Sequence, residues 1–155
     1  MSYHKIRLIL ILGVAKILVK KLRHLNDEIL VIPLLRALGS TPQKKIAIEW
    51  NNVDIALFSK AQRNDESLSV VVEAKRKGNS CLTAQSQAQA YAEGKINCHR
   101  LIVTDGLRYG VYVKENECFR INAYMNLTEL RNSYPIYNCT GVLDALNLMA
   151  PEWTL

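Results

Sequence analysis

The chain has 155 residues, a formal net charge of +6 and a hydrophobic content of 49%. This length suits one domain that buries roughly two-thirds of the surface its unfolded chain exposes. No long segment is both polar and highly charged, which excludes a disordered protein, and the positive charge favours a polyanionic partner such as nucleic acid. The four cysteines form no CxxC pair, which argues against a zinc site and favours reduced thiols over disulfides.

The N-terminal 23 residues predict a helix, over about residues 5–23, that is apolar most of the way round. The basic start and the apolar run at 8–15 also resemble a weak secretory signal. Lys16, Lys20 and Lys21 interrupt a hydrophobic pattern that continues through Leu22, which favours a cytoplasmic helix that is buried or covers a partner surface. The apolar run is too short to span a bilayer, so we expect no membrane association.

The rest of the pattern predicts a mixed sheet flanked by helices. A helix is expected at 27–38, with Asp27 or Asn26 as its N-cap, Gly39 as its stop, and Pro33 as the cause of a kink or a delayed start. Strands are expected at 46–50, 53–58, 68–75, 100–104, 109–113 and 118–121, and helices at 82–93, 126–131 and 142–149. A strand–helix–strand crossover beside an antiparallel hairpin predicts one α/β domain over residues 1–155.

The chemistry-bearing residues lie on the second and third predicted strands, as Asp54 and the run Glu73-Ala74-Lys75. Side chains alternate along a strand, so Glu73 and Lys75 share one face, roughly 6–7 Å apart. Mg²⁺ and Mn²⁺ prefer oxygen ligands, which Asp54, Glu73 and the Ala74 backbone carbonyl would supply. Lys75 would orient water or neutralise charge on a phosphodiester. The alternative is an inert, solvated Glu–Lys pair at a strand end.

Two further side chains, Gln87 and Tyr91, are four residues apart on the predicted helix that follows. This spacing puts them on one helix face, from which Gln87 could bond water, phosphate or a base edge. The alternative is a polar patch on an Ala-rich helix. Trp50, Tyr109 and Tyr112 could stack on bases, but packing against the sheet is the favoured interpretation.

Together these segments resemble the PD-(D/E)XK nucleases, and in particular the nuclease domain at the N-terminus of the type I restriction enzyme motor (R) subunit. Val53 stands where the family name has Pro. The resemblance covers residues 27–112, and its matching residues are Glu28 ahead of Pro33-Leu34-Leu35 and Leu38-Gly39, then Val53-Asp54, Glu73-Ala74-Lys75, Gln87 to Tyr91 and Thr104-Asp105-Gly106.

The resemblance implies a restriction-endonuclease-like αβββαβ core over residues 27–113. The predicted N-terminal helix (1–23) precedes this core, and a C-terminal extension (114–155), with a C-terminal hairpin plus helix, follows it. It implies Mg²⁺- or Mn²⁺-dependent cleavage of DNA, as in restriction-modification. The implied site consists of Glu28 as the helix glutamate, Asp54 and Glu73 as metal carboxylates, Lys75 as the catalytic lysine, and Gln87 and Tyr91 as the motif on the next helix.

The chain is not expected to drive translocation by ATP hydrolysis. Its Gly94-Lys95 pair has no Gly five residues earlier and is followed by Ile96, so it does not form a phosphate loop. A motor or specificity subunit would therefore be a separate partner, and a homo-oligomer is a further possibility. Two other interpretations stay open: a catalytically idle nucleic-acid-binding or assembly module with a nuclease fold, and an interaction protein whose N-terminal helix docks on a partner.

Overall fold

The computed structural model describes residues 28–39, 45–75 and 80–151, together with Gly13. The predicted N-terminal helix lies outside these ranges. The described helices are α1 (Glu28–Ala37), α2 (Gln85–Ala92) and α3 (Val142–Met149). The described strands are β1 (Ile46–Trp50), β2 (Val53–Phe58), β3 (Leu68–Ala74), β4 (Arg100–Thr104), β5 (Arg108–Glu115), β6 (Cys118–Asn126), β7 (Ser133–Tyr134) and β8 (Cys139–Thr140).

The eight described strands form one mixed sheet in the order β1-β2-β3-β4-β5-β6-β8-β7. The β3–β4 and β6–β8 pairs are parallel, whereas the other neighbours are antiparallel. The link between the parallel strands β3 and β4 contains α2, as a parallel crossover requires. The predicted mixed sheet with flanking helices is therefore confirmed.

The first hairpin fixes the register between β1 and β2, the strand that carries Asp54. Asn51 and Asn52 have φ angles of 49° and 68°, as the two central residues of a type I′ turn require. Trp50 consequently faces Val53. The predicted tight turn at this Asn pair is confirmed.

The two faces of the sheet pack against different helices. On one face, α1 and α3 cover a core that includes Leu35, Ile55, Val72 and Leu146. On the other face, the small residues of α2, such as Ala88, pack on a second core with β3 and β4. The Ala-rich sequence of α2 allows the helix to lie close to the strands, so polar residues beside its buried stripe come near the sheet.

The helix ends follow from their sequences. Gly39, which follows α1, has a φ angle of 105°, a conformation that favours Gly and ends a helix. Pro33 lies inside α1. The predicted helix at 82–93 starts instead as a 3-10 turn, Cys81–Ala84, before α2 begins. None of the described helices has the length and apolar content needed to cross a membrane.

The predicted helix at 126–131 is wrong, because β6 continues to Asn126 and ends in a turn. The Asn126 side-chain oxygen accepts hydrogen bonds from the backbone N–H of Thr128 at 3.0 Å and from its hydroxyl at 2.7 Å. Asn side chains that bond nearby backbone in this way compete with helix formation. The short strands β7 and β8 follow, and the sequence pattern did not predict them.

Candidate functional site

Two carboxylates that are remote in the chain meet on neighbouring strands. In the antiparallel β2–β3 pair Ile55 faces Val72, and one more step in this register brings Asp54 opposite Glu73. Side chains directly opposite in such a pair have Cβ atoms about 4.5–5.5 Å apart. The residues two positions away on these strands, Ala56 and Val71, belong to the core under α2, so both acids lie on the α2 face.

Glu73 is almost fully buried, with 2% of its surface exposed. Its Oε1 atom accepts a hydrogen bond from Lys75 Nζ at 3.3 Å, whereas its buried Oε2 atom has no hydrogen-bond partner among the described residues. Burial raises the pKa of the Glu73 carboxyl, and the charge of Asp54 raises this pKa further, while Lys75 acts in the opposite direction. A buried polar oxygen without a partner is costly, so a cation or a hydrogen-bond donor placed at this atom would be favourable.

Asp54 is half-buried, and the backbone of β3 holds its side chain. Its Oδ2 atom accepts a hydrogen bond from the Ala74 N–H at 2.7 Å. The N–H and C=O of a strand residue point to the same side of the strand. The Ala74 carbonyl therefore faces the β2 side, where Asp54 lies, and the three predicted oxygen ligands occupy one end of the β2–β3 pair.

A chain of hydrogen bonds links Lys75 to α2. Lys75 Nζ donates to Gln87 Oε1 at 2.5 Å, and Gln87 Nε2 donates to the Tyr91 hydroxyl at 3.2 Å. Gln87 and Tyr91 can bond each other because a spacing of four residues puts them on one helix face. Lys75 is 29% exposed, so its ammonium group is accessible to a ligand while α2 restrains its position.

The structure thus brings together five of the six predicted site residues. The sixth, Glu28, is the first residue of α1, but its side chain lies outside the described part of the chain. The core residues of α1 pack on the sheet face opposite to the α2 face, so the role of Glu28 stays a prediction. Within the described ranges, no three His, Cys, Asp or Glu side chains come together as a metal-binding group.

The end of β4 supports the site but adds no ligand to it. The Lys75 N–H donates to the Thr104 carbonyl at 2.7 Å, which pins the end of β3 to β4. Asp105 is 1% exposed and accepts hydrogen bonds from the N–H groups of Leu107 and Arg108 at 3.1 and 2.7 Å. It also forms an ion pair with Arg108. Asp105 therefore holds the predicted turn.

The aromatic residues Trp50, Tyr109 and Tyr112 pack in or against the cores, as the favoured interpretation of the sequence expected. Tyr109 is fully buried, and its hydroxyl donates to the Gly106 carbonyl at 3.0 Å. Trp50 packs edge-on against Phe58 with ring centroids 5.1 Å apart. Tyr112 is 4% exposed and lines a surface groove together with Arg120 and Tyr137. The sequence analysis did not single out Arg120 and Tyr137, because they come from separate elements.

Comparison of the chain with protein-family models, curated proteins and solved structures gives no match. The function therefore has to be argued from the chemistry of Asp54, Glu73 and Lys75 and of the side chains around them.

Proposed function

We propose that this chain is a Mg²⁺- or Mn²⁺-dependent DNA endonuclease with a restriction-endonuclease-like core. The observation that carries the proposal is the buried Oε2 atom of Glu73, which lies beside Asp54 and lacks a hydrogen-bond partner among the described residues. Coordination of a hard divalent cation would satisfy this oxygen and offset the repulsion between the two carboxylates. The donor set therefore fits the proposed cation.

Three groups of the chain would hold the cation: the carboxylates of Asp54 and Glu73 and the carbonyl of Ala74. When bound, the cation would supply Lewis-acid stabilisation of negative charge on a phosphodiester. The hydrogen bond from the Ala74 N–H to Asp54, 2.7 Å long, orients that carboxylate before binding. The strands thus position the ligands without reorganisation.

Lys75 would meet the phosphate. Hydrolysis adds water across a P–O ester bond and yields a phosphate monoester and a hydroxyl group, while negative charge builds up on the phosphoryl oxygens. The partly exposed ammonium of Lys75 would stabilise that charge. Gln87 holds this ammonium at 2.5 Å, and Tyr91 holds Gln87 at 3.2 Å, so both act as positioning residues for Lys75.

The order of the elements and the charge of the chain support the same proposal. The order α1-β1-β2-β3-α2-β4 has the αβββαβ pattern of the nuclease core that the motifs resemble. The net charge of +6 suits a polyanionic substrate. DNA rather than another phosphodiester is the substrate that the family resemblance implies.

The direct test is cleavage of supercoiled plasmid with Mg²⁺ by the full chain and by the variants Glu73→Gln and Lys75→Ala. We expect each variant to lose activity by roughly 10²- to 10³-fold, the scale on which removal of one group that stabilises charge acts. Matched controls are Glu115→Gln and Lys60→Ala, which change an exposed Glu and an exposed Lys outside the site. Activity that survives both site substitutions would refute the assignment.

A second candidate function is an idle module that binds nucleic acid without cutting it, or that serves in assembly. The observation that favours it is the closed hydrogen-bond network, in which Asp54 bonds Ala74 and Lys75 bonds both Glu73 and Gln87. Such a network can persist without a metal ion. Salt-dependent DNA binding without cleavage in either Mg²⁺ or Mn²⁺ would select this function.

A further inference from the structure

Arg108, the first residue of β5, lies in the same row of the sheet as Lys75. One step beyond the paired residues of the parallel β3–β4 register brings Lys75 opposite Asp105. One step beyond those of the antiparallel β4–β5 register brings Asp105 opposite Arg108. The backbone N–H of Asp105 donates to the Arg108 carbonyl at 3.2 Å, as this register requires. The row therefore runs from Lys75 through Asp105 to Arg108.

The Arg108 side chain projects to the α2 face of the sheet. A Cβ atom at Gly110, two residues further along β5, would meet the side chains of Leu82 and Val103, and Val103 belongs to the core under α2. Residues two positions apart on a strand share a face, so Arg108 is on that side as well. Glu73 faces Val103 in the same sheet. Arg108 and the proposed cation site therefore occupy one face.

A buried carboxylate fixes the position of the Arg108 guanidinium. The Oδ1 atom of Asp105 accepts the backbone N–H groups of Leu107 and Arg108. Its Oδ2 atom accepts a hydrogen bond from Arg108 Nε at 2.6 Å and also pairs with the Nη2 atom of the same side chain. One oxygen thus holds the turn and the other holds the guanidinium. A cation that is positioned before binding loses less conformational entropy when a ligand arrives.

The guanidinium nevertheless reaches the surface. The Arg108 side chain is 33% exposed, close to the 29% of Lys75, whereas Asp105 behind it is 1% exposed. A guanidinium has five N–H donors in a planar fork, and contact with one carboxylate oxygen engages only part of that fork. Its exposed part can therefore donate to a phosphate, the anion whose geometry an Arg fork matches.

The spacing of the two cations suits neighbouring phosphates of a nucleic acid strand. Lys75 Nζ is held over β3 by Glu73 and Gln87, and Arg108 is held by Asp105 at the end of β4. Their head groups are thus one to two strand spacings apart, or about 5–10 Å. A DNA strand advances about 3.4 Å along its axis per nucleotide. This span corresponds to phosphates one to three nucleotides apart.

We propose that Arg108 binds a second phosphate of the DNA strand whose scissile phosphodiester meets Lys75. The strand then crosses β3, β4 and β5 along the row that these two side chains define. A phosphate contact of this kind fixes the register of the DNA without reading its sequence. The substrate class is therefore a polynucleotide with a flanking phosphate, rather than an isolated phosphodiester. This inference rests on the proposed nuclease function and adds a substrate requirement to it.

The test is the salt dependence of DNA binding by the full chain, measured by fluorescence anisotropy of a labelled duplex in EDTA, where metal-dependent cleavage does not occur. Each phosphate contact contributes about 0.9 to the slope of log K against log[salt]. We expect Arg108→Gln and Lys75→Ala each to reduce the slope by about 0.9, and the two together by roughly 1.8. Arg108→Lys keeps the cation and should keep the slope. The matched control Arg63→Gln changes an exposed Arg in the loop at 59–67, beyond the opposite end of β2, and should also keep it.

A second variant separates binding from folding and from net charge. Arg108→Gln leaves the buried Asp105 without its ion pair, which is destabilising, so thermal melting by circular dichroism checks each variant. Combining Asp105→Asn with Arg108→Gln removes both charges and leaves the net charge of the chain unchanged. We expect this combination to have the reduced slope too, because the phosphate contact is lost.

Two results would overturn the inference. One is a wild-type slope in the combination of Asp105→Asn with Arg108→Gln. The other is a slope that falls no further in the Lys75→Ala and Arg108→Gln combination than in Lys75→Ala alone, which would place both cations on one phosphate. Failure of the nuclease proposal looks different: a wild type that never cleaves, but whose salt slope depends on Arg108, would refute catalysis alone. Cleavage that depends on Glu73, with a slope independent of Arg108, would refute the second phosphate alone.

Discussion

At the scale of single residues, Glu73 is the side chain on which the site depends. Its carboxyl group is buried beside Asp54, and both features raise its pKa. A carboxyl whose pKa is higher in the folded state than in the unfolded state destabilises the fold once it ionises. Stability from the protonated form is present below the unfolded-state pKa and is lost as the pH rises through the folded-state pKa.

We therefore predict that Glu73→Gln changes how stability depends on pH. In EDTA, the free energy of unfolding of the wild type should fall, relative to that of Glu73→Gln, as the pH rises from the ordinary pKa of Glu through the raised pKa of Glu73. The amide does not ionise, so the variant lacks this loss. Urea unfolding of both proteins at a series of pH values measures it. A difference between the two proteins that does not vary with pH would contradict the raised pKa.

The sequence shows that Asp54 and Glu73 lie on predicted strands, but it does not show which carboxylate atoms are hydrogen-bonded. The motifs of the sequence predict that Asp54 and Glu73 belong to one site. The β2–β3 register that puts them opposite each other was not predictable, because the long loop at 59–67 and a register shift between Leu57 and Phe58 lie between the strands. The Oε2 atom of Glu73, which has no hydrogen-bond partner in the described part of the chain, was not predictable either, because its surroundings depend on side chains that pack around it from other elements. The groove beside Arg120 was missed for the same reason.

At the scale of elements, strong periodicity and clear stop signals set what could be predicted. β1, β2, β4 and α3 have the predicted bounds, because each is an alternating, continuously apolar or helix-periodic segment, and turn or stop residues such as Asn51, Asp105 and Pro151 follow closely. β7 and β8 have two residues each, too few to show a period. They are defined by their pairing with each other, in which Ser133 faces Thr140 and Tyr134 faces Cys139.

Two glycines, Gly110 in β5 and Gly141 directly after β8, allow the packing around these strands to be tested. A Cβ atom at Gly110 would lie 2.6 Å from the end of the Leu82 side chain, whereas one at Gly141 would lie 2.1 Å from the backbone oxygen of Arg131. A side-chain end can shift more easily than backbone, so Gly110→Ala should destabilise by about 1–2 kcal/mol and Gly141→Ala by about 3 kcal/mol or more. Urea unfolding at neutral pH gives both values. Equal costs, or a larger cost for Gly110→Ala, would contradict the packing at β5 and β8.

At the scale of the whole molecule, the strands that carry the proposed cation ligands are also interior strands of the sheet, each with a neighbouring strand on both sides. β2 and β3 have cores on both faces, so the site cannot form without most of the described fold. A ligand that binds only the folded state stabilises it by RT ln(1 + [L]/Kd). The stability of the whole chain should therefore report occupancy of the site, independently of any cleavage.

We predict that Mn²⁺ raises the melting temperature of the wild type. At about 100 times the dissociation constant the gain is about 2.7 kcal/mol, which for a chain of this size corresponds to roughly 5–10 °C. Glu73→Gln should show little of this shift, because an amide replaces the carboxylate whose Oε2 atom lacks a partner in the described structure.

The matched control Glu115→Gln changes an exposed carboxylate outside the site and should shift like the wild type. Differential scanning fluorimetry across a Mn²⁺ titration, with EDTA reversal, makes the measurement. A wild type that does not respond, or a Glu73→Gln variant that responds equally, would place any bound cation elsewhere and remove the physical basis for metal-dependent cleavage at this site.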